Sequence, residues 1–124
     1  MRQLTESDFA IFKAEVEKWI ALFGLKDWAV TFDFSPLENS RAECCVNWHA
    51  KAALITLGQF PRGEVTQDDV RRSAFHEVCE LLLTDMEFTA LDEAIPYDER
   101  KVLTEVARHG VIRRLENSVF KMGK

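Results

Sequence analysis

Near the start of the chain, Phe9, Phe12, Val16, Trp19, Ile20 and Phe23 recur at intervals of one to four residues among Lys and Glu. That is the period of a helix with one apolar face. Thr5 or Ser7 can cap this helix, and Gly24 supplies a stop. The period then changes to two. Trp28, Val30, Phe32 and Phe34 alternate with Ala29, Thr31 and Asp33, as in a half-buried strand that ends at Ser35-Pro36. Ala42, Cys44, Val46 and Trp48 alternate with Glu43, Cys45, Asn47 and His49, and Ala53, Ile55 and Leu57 alternate with Leu54 and Thr56. These spacings predict two more strands joined by a hairpin near His49-Ala50-Lys51.

A loop from Gly58 to Gly63 leads to Thr66 and Asp69, which have the spacing of a capping box with Asp in place of Glu. A central helix is therefore expected from Gln67 to about Met86. Residues Glu87 to Pro96 have no clear period and read as a connecting loop. A last helix is expected from Asp98 to about Phe120, with Val102, Val106, Ile112 and Leu115 as its apolar stripe and Gly123 near its end. The order is helix, three strands, helix, helix. This predicts an α+β domain with a small antiparallel or mixed sheet covered by helices.

At 124 residues the chain is expected to form a single domain, 1–124, able to bury a core without disulfides or a structural metal. A net charge of −5 argues against a protein that tracks a nucleic-acid backbone. The adjacent arginines Arg71-Arg72 and Arg113-Arg114 read as solvated helix faces. The first residues lack the apolar core of a signal peptide, and no apolar stretch reaches membrane-spanning length, so a cytoplasmic protein that does not engage membranes is expected. Three cysteines, two of them adjacent, suggest no disulfide framework. Cys79 reads as core packing, Cys45 as pointing away from the apolar strand face, His49 as a hairpin residue, and Trp19, Trp28 and Trp48 as core.

The candidate chemistry lies in His76-Glu77-Val78-Cys79-Glu80, inside an apolar run that continues through Leu81-Leu82-Leu83. Residues four apart share a helix face, so His76 and Glu80 can offer an imidazole nitrogen and a carboxylate oxygen to one point. On the last helix, Glu105 and His109 repeat the spacing. Hydrolytic zinc sites commonly use three protein ligands and leave one position for water. His76, Glu80 and His109 are the expected ligands, with Glu105 as a substitute ligand or as an acceptor that orients an imidazole. Glu77 follows the first ligand and is turned about 100° around the helix from it, the place of a metalloprotease general base. It is expected to take a proton from the attacking water without touching the metal.

The segments His76-Glu77-Val78-Cys79-Glu80-Leu81-Leu82-Leu83 and His109-Gly110-Val111-Ile112-Arg113-Arg114-Leu115-Glu116-Asn117 resemble those of small zincin-like metallopeptidases encoded by phages and prophages. The strand pair from Ala42 to Leu57 is similar to the sheet edge that precedes the active helix in such proteins. The resemblance covers roughly residues 28 to 117. It implies a minimal zincin-like fold, a bound Zn2+, hydrolysis of a peptide or protein substrate, and a phage protein acting in the cytoplasm of a bacterial host. The chain departs from the usual H-E-x-x-H pattern in having Glu80 where the second imidazole stands. A carboxylate there lowers the charge of the metal centre and can make its water a weaker acid.

Two other readings compete. In one, the spacing serves only a buried polar network, with His76 bonded to Glu105 and Glu80 paired with Arg108 or Arg113. In the other, the protein is a catalytically inactive metal-binding or protein-interaction accessory factor. If it is a peptidase, an extended substrate is expected to add to a sheet edge formed by Ala42–Trp48 or by Ala53–Leu57.

Overall fold

The computed structural model describes residues 3–120 and residue 122. The Gly123 stop lies outside the described residues. Helix α1 spans Glu6–Leu22, strands β1, β2 and β3 span Ala29–Ser35, Ala42–Asn47 and Ala52–Gly58, and helices α2 and α3 span Gln67–Leu91 and Tyr97–Leu115. A π-helical turn, Glu116–Phe120, follows α3. The fold is α+β, as the hydrophobic pattern predicts.

Both long N-terminal helices begin with reciprocal caps. Asp8 donates its amide to the Thr5 hydroxyl and accepts from the Thr5 amide, and Asp69 and Thr66 repeat the arrangement at α2. Thr5 rather than Ser7 is thus the cap of α1. Gly24, at φ +69°, takes the left-handed conformation that ends the helix.

The sheet order is β1-β3-β2, with β1 parallel to β3 and β2 antiparallel to it. β3 is the most apolar strand and lies in the middle, where both of its sides are paired. Ala53–Leu57 therefore offers no free edge for a substrate, whereas β2 keeps one. The register aligns Phe32, Ile55 and Cys44 across one face, with Phe34, Leu57 and Ala42 beside them. Because side chains alternate along each strand, this face carries the apolar set towards the helices. The β2–β3 turn holds Lys51 at φ +53°, and the Lys51 ammonium sits 3.6 Å from Asp27 and 3.5 Å from Asp85.

α2 is the hub of the packing, touching α1, β2 and α3. Its residues Val70, Ala74, Val78, Leu81 and Leu82 are buried at helical spacing against Phe12, Val16, Ile55 and Leu57. The helix continues five residues past the expected end at Met86. Nothing in Glu87-Phe88-Thr89-Ala90-Leu91 breaks a helix, and Phe88 stacks on Trp48 with ring centroids 5.7 Å apart. The chain turns only at Asp92, ahead of Pro96.

α3 departs most from expectation. Its only buried residue is Val111, while Val102 is 62% exposed, Val106 59% and Ile112 41%. The apolar stripe read from the sequence is a helical stripe, but it faces outwards. The five-residue connection is short enough to fold α3 back along α2, and that constraint seats the helix by Val111 instead.

Truncation should separate the two helices energetically. Leu81→Ala is expected to lower unfolding stability by about 2–5 kcal/mol, and Val106→Ala by less than about 0.5 kcal/mol, both read from urea midpoints.

Candidate metal centre

The helical spacing that buries Val70, Ala74, Val78 and Leu81 carries Glu77 onto the same face. The residue is only 4% exposed. His76 and Glu80 flank it at the rim of that face, with side chains 68% and 54% exposed. His76 Nε2 lies 3.4 Å from Glu80 Oε1. One donor atom from each of His76, Glu77 and Glu80 falls within 4.8 Å of the other two. Among the described residues, this is the group of metal-ligating side chains close enough to share an ion.

Electrostatics make the group unusual. Burial, then a hydrogen bond with Glu80, then the negative charges of Glu80 and Glu43 push the Glu77 carboxyl up to about 8. At neutral pH Glu77 is therefore mostly protonated, and its proton lies between two carboxyl groups that could not both ionise cheaply so close together. A divalent cation can do the same job as that proton. It neutralises the pair and accepts the imidazole nitrogen as a further donor, and one nitrogen with carboxylate oxygens is a donor set that zinc takes.

A residue that pattern reading assigned only to an apolar strand face also borders the group. Cys44, on the inner face of β2, has its thiol pushed up to about 12, first by burial and then by the charges of Glu77, Glu80 and Cys45. Alternation along β2 correctly points Cys44 inwards, but nothing local says that α2 crosses above it. Cys79 is also raised by burial, and Cys45 is exposed. Cys44 and Cys79 are held as neutral thiols, which is not the state of a nucleophile.

Glu105 and His109 stand apart from the group. Both are exposed on α3, and Glu105 Oε2 accepts a 2.7 Å hydrogen bond from Arg108 Nη2, which holds its carboxyl below the usual range. The polar network of the alternative reading is likewise absent: His76 pairs with Glu80 rather than Glu105, and Arg108 with Glu105 rather than Glu80. Taken from the middle of the 92–96 connection, His109 lies about fifteen residues up α3, and Cys79 lies about the same distance back along α2. At about 100° per residue, Val102, Glu105, Val106, His109 and Ile112 share one arc of α3, roughly opposite Val111.

Beside the group, a cavity of about 320 Å³ opens between the start of β2 and α2, with Arg41, Ala42, Arg72, Ser73, His76 and Glu77 on its walls. At the far end of the same two elements lies a second cavity of about 530 Å³, lined by Trp48, His49, Phe88 and Leu91 among others. His49 is in the hairpin turn and Trp48 Nε1 donates to Asp85 Oδ1 at 2.7 Å.

The raised Glu77 pKa fixes the sign of a pH effect. The unfolded chain ionises this carboxyl near its ordinary value of 4.5, the folded chain only near 8, so its contribution to stability is full below 4.5 and is lost as pH rises through 8. Without added metal, Glu77→Gln should melt at a higher temperature than the parent at pH 8.5, with the gap closing towards pH 4.5, as followed by circular dichroism. Compared with known proteins, the chain matches no family model, no curated protein and no solved structure.

Proposed function

We propose that the protein is a zinc-dependent metallopeptidase of phage or prophage origin, acting in the bacterial cytoplasm. The observation that carries this reading is the meeting of His76, Glu77 and Glu80 beside the free edge of β2. His76 and Glu80 would be the ligands from α2, and His109, from α3, the third. A zinc ion held by these residues would supply a more acidic water and a Lewis acid for the peptide carbonyl. Glu77, within 4.8 Å of both α2 ligand atoms, is in reach of that water. It takes one proton as the water oxygen attacks the peptide carbon, and passes it to the amine as the C–N bond breaks. Burial makes the ionised carboxyl a stronger base, which favours taking that proton, and a cation beside it would hold it ionised for the purpose.

Recruiting His109 means turning α3. The exchange gives up Val111 and seats Val102, Val106 and Ile112, three apolar side chains for one, at about 1.5–3 kcal/mol for each fully buried. Without a cation the same turn brings Glu105 towards Glu77 and Glu80, a third carboxylate against two. A cation held there would remove that repulsion and so would favour the docking of this face of α3.

The exposed face of α3 also favours a second reading, in which the chain is an accessory factor that binds a protein partner and does no chemistry. Purified protein is expected to hold about one zinc per chain by elemental analysis. His76→Ala and Glu80→Ala should lose it, and His109→Ala should weaken binding by roughly 10–100-fold. Glu77→Gln should keep the zinc and lower cleavage of a casein or peptide substrate by about 10²–10⁴-fold. Zinc should also slow amide hydrogen exchange across residues 102–112. Absence of zinc binding ends the peptidase reading; zinc binding with no cleavage favours the accessory factor.

A further inference from the structure

We infer that the groove selects peptides bearing a carboxylate on the C-terminal side of the bond brought to the metal, and that Arg41 and Arg72 receive it. This inference deepens the peptidase reading and rests on it for the location of the cut.

In a chain of net charge −5, the cavity next to His76 and Glu77 carries two guanidinium groups, one from each wall. Arg41 lies at the mouth of β2 and also borders a neighbouring cavity of about 170 Å³ that holds Arg62. Neither wall arginine is committed elsewhere. Arg72 Nη2 reaches Asp68 only at 4.0 Å, with both side chains about four-fifths exposed, and among the described residues Arg41 has no ion-pair partner within 4.0 Å. Asp69 is close enough to feel both charges, but its carboxylate already accepts from the Thr66 amide and hydroxyl in the α2 cap. Serines 40 and 73 add hydroxyls to the same walls. Two guanidinium groups and two hydroxyls lining one cavity suit a carboxylate, which can accept parallel N–H bonds from a guanidinium.

The sheet supplies the direction. β2 and α2 run side by side in the same sense, since Ala42 shares a cavity with Ser73 and His76, and Trp48 bonds to Asp85 and stacks on Phe88. A peptide added to β2 in the more stable antiparallel mode runs from Trp48 towards Ala42. Its residues before the cut pass the apolar cavity of Trp48, Phe88 and Leu91, and those after it enter the arginine cavity. The two ends of the groove thus differ in chemistry in a way that fixes which way a substrate lies. The carboxylate can be an Asp or Glu side chain or the free end of the peptide.

The test uses fluorescence anisotropy with zinc-loaded Glu77→Gln protein and three labelled hexapeptides that differ only in whether and where they carry a carboxylate. One has a free C-terminus, one an amidated C-terminus with Asp at the penultimate position, and one is amidated and neutral. Either charged peptide is expected to bind about tenfold or more tightly than the neutral one, with the stronger of the two identifying the source of the carboxylate. In the Arg41→Gln/Arg72→Gln double variant the difference should fall within about twofold. A neutral peptide that binds as well as the charged ones, no binding of any peptide, or a preference that survives the double substitution would overturn the inference. The arginine-dependent preference is also read on metal-free protein, so failure to load zinc or to cleave counts against the peptidase reading alone.

Discussion

The structure turns on one carboxyl group placed where an apolar side chain would be expected. Glu77 occupies a core-facing position of α2, in register with Val70, Ala74, Val78 and Leu81, yet it is held against Glu80 and below Cys44 of β2. An isolated buried carboxylate is costly, so the site must hold either a proton or a cation. With its pKa pushed up to about 8, Glu77 holds a proton at neutral pH when no cation is beside it. All the surrounding features bear on that choice: the imidazole of His76 at the rim, the like charges of Glu80 and Glu43, and a strand edge alongside that leaves room for an extended chain.

The seating of α3 bears on the proposed site. The face of α3 that carries His109 and Glu105 also carries Val102, Val106 and Ile112, so the proposed ligation by His109 and the burial of those apolar side chains would ask for the same rotation of the helix. A helix with one buried residue is a weakly held element, and weakly held elements are those that a bound ion can reposition. The arginine and aromatic cavities at opposite ends of the β2–α2 groove extend the argument from the ion to the substrate, since they give the groove a polarity that a symmetric apolar cleft would lack.

Much of this was legible in the chain. The period-two runs located all three strands to within a residue or so, and the Thr66–Asp69 cap, Thr5 as one of two caps offered for α1, and the Gly24 stop fell where local chemistry puts them, while the Thr5–Asp8 box was not read. The order β1-β3-β2 was not legible, because alternation says which face a residue takes and nothing about which strand is central. The end of α2 was placed too early: the weak period after Met86 reads as loop, but the Trp48–Phe88 stack, a contact across 40 residues, holds the helix together. For the site, the i, i+4 rule brought His76 and Glu80 together, and the turn of the helix put Glu77 beside them. Its deep burial, Cys44 across from it and the outward stripe of α3 depend on tertiary packing, which no local spacing encodes.

The most direct measurement is X-ray absorption at the zinc edge of the loaded protein. The account predicts a first shell of two imidazole nitrogens and carboxylate or water oxygens, falling to one imidazole in His109→Ala. A shell containing sulfur from Cys44, or one with a single imidazole in the parent protein, would contradict it.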